Sequence, residues 1–347
     1  MLLYRTICAL LMAWIMACFS PADDLWAGRG VQPIKVVIQR LTFNTSYPGS
    51  AYLYLDVTRM DGSTVPGLKS DNFELTIDGR YAVVIDHIVP FAGSDRDLAY
   101  VLLVDNNEAL ATSLTMIRQG AWDFLQAMGF RYWGTVVTYA NRPGMLVRPT
   151  RDARYLAELV AGLEPVEHAP QLADGLLLAV EVLTKTVAEH HLDRSRTAVI
   201  LFTEGRDEGS RFSLQAASSK VVESGTQFFL IGYGQTGASS IAVLRELAER
   251  TGGRWYYLPN PDDIPAAMLK VADILKNQYI IGFNHERFAD GAEHSVEIAV
   301  SGYGYKGNTS LRFIGPRLKQ FPPGWPLYLG CGAFLFLVLM WRRRGRT

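Results

Sequence analysis

Apolar and polar positions follow two different rhythms along this chain, and the change of rhythm divides it. Through residues 31–92 the period is two. Residues 34–40 alternate, Ala51-Tyr-Leu-Tyr-Leu-Asp-Val57 is rich in aromatic and β-branched side chains, and Asp61-Gly62 is a hairpin signal. Phe73-Glu-Leu-Thr-Ile77 alternates cleanly before Asp78-Gly79 turns it into residues 81–88. Short strands with a turn about every ten residues predict a small antiparallel β-sandwich. Pro90-Phe-Ala-Gly-Ser-Asp95 reads as the linker that leaves it.

Beyond Leu98 the pattern becomes strand, helix, strand. Leu98-Ala-Tyr-Val-Leu-Leu-Val104 is apolar without a break, as expected for a strand covered on both faces, and it stops at Asp105-Asn-Asn107. A helical pattern occupies 110–128, a strand 132–139, a short edge strand 145–148 and a long helix 172–188. Buried strands follow at 197–202 and 226–233, with helices at 212–223 and 241–250. A last strand covers 254–258, and a helix opened by Pro261 continues to Asn277. This alternation predicts an α/β domain over 95–277, a doubly wound, mostly parallel six-stranded sheet. Residues 278–283, 293–301 and 308–314 return to strand character. They are expected to rejoin the N-terminal β segment, so that the α/β domain is inserted in it or flanked by it.

The two ends carry a different message. Arg5, an apolar run from Ile7 to Phe19 and the small residues of Ser20-Pro-Ala22 predict a secretory signal over 1–22. Residues 325–341 are uncharged, begin and end with tryptophan, and precede Arg342-Arg-Arg-Gly-Arg346. That predicts one membrane helix with a basic cytoplasmic tail, 342–347, and the body of the chain outside the cytoplasmic membrane. A sorting tail that is cut off and exchanged for another anchor is the alternative.

Basic and acidic residues balance at 34 each across 347 residues. Five of the basic ones sit in the two terminal segments, so the part between is mildly acidic, which argues against nucleic acid as a partner. Cys8, Cys18 and Cys331 all lie in those same segments, leaving no thiol for a disulfide or thiolate metal site elsewhere. His87, His168, His190, His191, His285 and His294 show no metal spacing, and no serine sits in a Gly-x-Ser-x-Gly turn. Gly232-x-Gly234-x-x-Gly237 follows the third buried strand rather than the first, which argues against a dinucleotide site. No enzyme is expected.

The strand ending in Asp105, strand 135–139, Leu172-x-Asp174-x-Leu176 and Leu201-Phe-Thr-Glu204-Gly205, in this order, resemble a von Willebrand factor type A domain. The resemblance implies a Rossmann-like fold and a site for Mg²⁺ or Mn²⁺ at the top of the sheet, where hard oxygens hold the ion and a partner's carboxylate completes it. Asp105 keeps the first ligand position of that site. Asn107 and Ala109 stand where the family has serines, Pro170 stands in the threonine's place, and Glu204 replaces the last aspartate. The expectation is a degenerate site. Its protein partner would meet Asp105, Asn107, Glu108, the Pro170 loop and residues 204–210. Two alternatives stay open: an envelope assembly or maturation factor working with a membrane complex, and a weakly metal-dependent binder using Asp105, Asn107 and Glu204.

Overall fold

A computed structural model describes residues 31–44, 49–107, 113–140, 142–167, 169–192, 196–233 and 239–317. The expected signal segment, membrane helix and basic tail, and the positions Glu108 and Ala109, lie outside the described residues. Among the described residues no helix is long and apolar enough to cross a membrane.

Five strands come first: β1 (Gln32–Asn44), β2 (Ser50–Arg59), β3 (Phe73–Ile77), β4 (Tyr81–Val83) and β5 (Ile85–Pro90). The α/β segment follows with β6 (Leu98–Val104), α1 (Leu114–Met128), β7 (Trp133–Thr138), β8 (Gly144–Met145), α2 (Ala153–Ala161) and α3 (Leu172–Glu189). It continues through β9 (Arg196–Thr203), α4 (Leu214–Glu223), β10 (Gln227–Tyr233), α5 (Ser239–Arg250), β11 (Trp255–Leu258) and α6 (Ile264–Asn277). The chain then returns to strands β12 (Tyr279–Asn284), β13 (Glu293–Gly302) and β14 (Tyr305–Ile314).

The six-stranded sheet has the order β11-β10-β9-β6-β7-β8, and only the short β8 runs antiparallel to its neighbour. Every residue of β6 is buried. Its side chains alternate between two cores, as the pleat requires. Leu98, Tyr100, Leu102 and Val104 meet Ile117, Phe124, Leu156 and Met268 of α1, α2 and α6. Ala99, Val101 and Leu103 face Leu176, Leu183, Val221 and Leu247 of α3, α4 and α5. With helices on both faces, the strands need no polar side, which is why their sequence shows none.

The second sheet has eight strands in the order β4-β3-β13-β14-β1-β2-β12-β5, so strands from both sides of the α/β segment interleave in it. The first residues of β1 pair in parallel with β14, and the rest pair with β2. Leu53, Leu55, Ile281 and Phe283 from one half meet Leu75, Ile77, Val296 and Ile298 from the other in one core. The segment after β5 is not an open linker. Phe91 is fully buried in the α/β core, and its N–H donates to Gln278 O at 2.7 Å.

The two units meet at the amino-terminal ends of β9 and β10. There Asp56, on β2, accepts hydrogen bonds from Gln278 Nε2 at 2.7 Å and Gln39 Nε2 at 2.5 Å. Gln39 sits where the β1–β2 register shifts between Ile38 and Arg40, a bulge that re-aims its side chain toward Asp56 and the Gly252 carbonyl. Arg196 opens β9, donates to Leu275 O at 2.9 Å and to Gln227 Oε1, and lies over the Phe91 ring at 4.8 Å. Burial pushes the Asp56 acid up, against the pull of the Arg196 and Arg254 charges, and brings Arg196 down to about 10.

At the far pole of the eight-stranded sheet His294 is clasped by two carboxylates. Its Nδ1 is 2.8 Å from Asp78 Oδ2 and its Nε2 is 3.0 Å from Asp290 Oδ1. The end of β14 lies at this pole, with Phe313 next to Phe43. The chain therefore leaves the β unit at the end opposite the α/β domain.

Candidate functional site

The carboxyl ends of β6 and β9 form the upper rim of the α/β sheet, and the ladder between them places Val104 beside Phe202. Asp105 and Glu204, each one or two residues beyond, therefore share that rim. The Asp105 N–H extends the ladder to Phe202 O at 3.4 Å. Its side chain is 2 % exposed, and Oδ1 accepts the N–H of Asn107 at 3.0 Å. Burial raises this acid to about 6; the Asn107 N–H pulls the other way, and the nearby Glu204 charge adds to the rise. The Tyr139 hydroxyl, fully buried below, donates to Phe202 O at 3.1 Å.

Glu204 leans outward and pairs with Arg206 at 3.0 Å. Asn107 makes a single β-bridge to Val166, which fixes the backbone of this loop against the segment before α3. Pro170 is buried, and its carbonyl accepts the N–H groups of Glu208 and Gly209 at 3.0 and 3.1 Å.

The loop after β9 is tied to the start of α3 by hydrogen bonds in both directions. Helix α3 lacks a side-chain cap from Gln171. The loop supplies one instead: Asp207 Oδ1 accepts from Leu172 N at 3.1 Å, and Ser210 Oγ accepts from Ala173 N and Asp174 N at 3.0 and 3.3 Å. Asp174 answers in the opposite direction. Its side chain, 3 % exposed, accepts from the N–H groups of Arg211 and Phe212 at 3.2 and 3.3 Å and from Arg211 Nε at 3.0 Å. Gly175 lets this helix close on the sheet, since a Cβ there would lie 2.9 Å from Tyr139 Cβ.

The structure thus gathers Asp105, Asn107 and Glu204 on one rim, while Asp174 turns to Arg211 and Pro170 brings only a carbonyl. Among the described residues no group of three or more Asp, Glu, His or Cys is close enough together to hold a metal ion. Arg211, Phe212 and Arg142, which line a groove beside α3, were not singled out by the sequence. Their one signal is the arginine–aromatic pair in the loop before α4.

The family model of the von Willebrand factor type A domain matches residues 104–269, just under half of the chain, and the α/β domain has that fold. Comparison with curated proteins finds no match. Among solved structures, a von Willebrand factor type A protein from Catenulispora acidiphila is similar at 11 % identity over 83 % of this chain and 75 % of that one, with a TM-score of 0.46. BatB, a conserved hypothetical protein from Bacteroides thetaiotaomicron, is similar at 13 % identity over 52 % of this chain and 100 % of its own, with a TM-score of 0.42. The pilus adhesin SpaC from Lactobacillus rhamnosus GG is similar at 12 % identity over 85 % of this chain and 42 % of its own, with a TM-score of 0.44. Scores this low leave the assignment resting on the sequence match.

Proposed function

We propose that this chain is a non-enzymatic protein-binding module, held at a membrane by its C-terminal segment and displayed outside the cytoplasm, which binds its partner without a metal ion. The observation that carries the metal-free reading is the state of the candidate oxygens. Mg²⁺ takes about six hard oxygens at near-ideal octahedral positions. Here one oxygen of Asp105 holds the Asn107 N–H, Glu204 is paired to Arg206, and Asp174 is committed to Arg211. Ala109 has no side-chain oxygen, and neither has Pro170. Waters would have to complete most of the shell. The residues present do not fit the ion that the resemblance implies.

Display is supported by topology. The rim of Asp105 and Glu204 and the exit of β14 lie at opposite ends of the molecule, so an anchor following residue 317 would leave the rim facing away from the membrane. Partner binding then relies on direct polar and apolar contacts at that rim.

Calorimetric titration and thermal unfolding with Mg²⁺ and Mn²⁺ test the metal-free reading. The expected result is no saturable heat and a melting temperature moved by less than about 1 °C at millimolar ion. A saturable rise of several degrees, abolished by Asp105→Ala, would overturn it.

A further inference from the structure

Beside the rim, a groove of about 510 Å³ runs along the outer face of α3. Asp174, Leu177, Leu178 and Glu181 line it at helical spacing, Arg142 enters from the β7–β8 connection, and Arg211 and Phe212 enter from the loop before α4. Seven residues of helix give a floor of about 10 Å, room for three or four residues of extended chain.

The chemistry of the lining is specific. Asp174 grips Arg211 through its Nε and its backbone N–H and also accepts the Phe212 N–H, yet the Arg211 side chain stays 82 % exposed. Its outer nitrogens are therefore presented on a fixed stem, the arrangement that suits two-pronged binding of a carboxylate. Glu181 is neutralised by Lys185 at 2.6 Å, and Asp174 by Arg211. Arg142 is exposed and, among the described residues, has no ion-pair partner, so of the two arginines in the lining it is the one not already paired. Between the charges lie the partly buried Leu177 and Leu178 and the ring of Phe212, 52 % exposed. Arginine and aromatic residues around a small apolar floor are what protein interfaces favour.

We infer that this groove takes a short extended acidic segment of a partner protein, in which a Glu or Asp flanked by apolar side chains sets its carboxylate between Arg142 and Arg211. The acidic rim nearby, Asp105 and Glu204, repels long polyanions, so the anion is a single carboxylate within a peptide. The inference rests on the reading of the α/β domain as a protein-binding module, and it adds the chemistry of the ligand. Its test does not involve metal, so failure of the metal-free reading would show in the Mg²⁺ titration and leave the peptide result unchanged.

Fluorescence anisotropy of the full-length protein with fluorescein-labelled Leu-Glu-Leu-Phe-amide, and with its Gln counterpart, provides the test. The Glu peptide is expected to bind about five-fold tighter than the Gln peptide, the effect of one partly exposed ion pair. In Arg142→Glu, which touches no buried contact, that preference should vanish and a Lys peptide should bind better than the Glu peptide. Arg211→Lys should weaken Glu-peptide binding and keep the fold, because Asp174 retains a cationic neighbour. Absence of binding by either peptide, equal binding of the Glu and Gln peptides, or a preference that Arg142→Glu leaves intact would overturn the inference. Capture of heparin in place of the peptides would overturn it as well.

Discussion

At the lower end of the six-stranded sheet Asp56 and Arg196 are buried between two units, each held by neighbours from distant parts of the chain. At the upper end Asp105 is as deeply buried, but Glu204 beside it reaches solvent and pairs with Arg206 two residues on. The lower charges are opposite in sign and shared among Gln39, Gln227 and Gln278. The upper ones are two acids on one rim. Opposite charges with their hydrogen bonds met can be sealed inside, and here they join the two units. Like charges cannot be sealed without cost, and at that end Glu204 stays open to solvent.

The comparison can be broken most directly at the joint. Arg196→Met removes the stronger of the two cations that act on buried Asp56, leaving Arg254, and breaks the bonds to Leu275 O and Gln227, so it should cost about 3 kcal/mol, measured by urea unfolding at pH 7.5. Adding Asp56→Asn should recover part of the loss. A loss under ~1 kcal/mol would mean that the charges at the joint are no better integrated than those at the rim.

The rim should respond with the opposite sign. The Asp105 acid titrates near 6 in the folded protein, above its ordinary 3.8, so the folded state holds its proton through the window between them. Stability is therefore lost as pH rises through that window, and it is recovered below it. Asp105→Asn should gain about 1–2 kcal/mol at pH 8 and change little at pH 4. A loss at pH 8 would show that the hydrogen bond from Asn107 outweighs the penalty of burial.

The smallest effect is expected at the far pole, where His294 serves as a reference outside both regions. A neutral imidazole has one N–H, so two carboxylates are satisfied together only by the cation. The hydrogen bond to Asp78, followed by that to Asp290, accordingly raises the His294 pKa above 6.5. The stabilisation is fully present below 6.5 and is lost as pH rises through the higher folded value. His294→Gln should lower the melting temperature by about 2 °C at pH 6 and by less at pH 9. Equal effects at both pH values would mean that the clasp is not held as a cation. Asp105 and His294 thus lower stability in adjacent pH windows, and the two variants should separate them.

Much of this architecture is visible along the chain. The unbroken apolar run of β6 marks a strand covered on both faces, and the acid that ends it marks the rim. The alternation of Phe73-Glu-Leu-Thr-Ile77 matches β3 to the residue. Other features are not visible in this way. Residues 81–88 read as one strand but divide at Val84 into β4 and β5, which lie on opposite edges of the eight-stranded sheet. The expected edge strand at 145–148 is reduced to Gly144–Met145. Phe91, in an apparent linker, is a core residue because two units close on it.

The roles of the acids depend on contacts between distant segments. Asp174 sits in the first turn of α3 and Asp207 four residues beyond the end of β9. In the fold one braces Arg211 and the other caps α3, across separations of 37 and 35 residues.

By itself the sequence determined the succession of strands and helices through the α/β segment and that Asp105 and Glu204 fall at strand ends, because the period of burial is a property of consecutive residues. Only the tertiary structure decided which polar groups are consumed by hydrogen bonds and which stay exposed. A hydrogen bond depends on what the chain brings to within about 3 Å, and distance along the sequence carries no information on that.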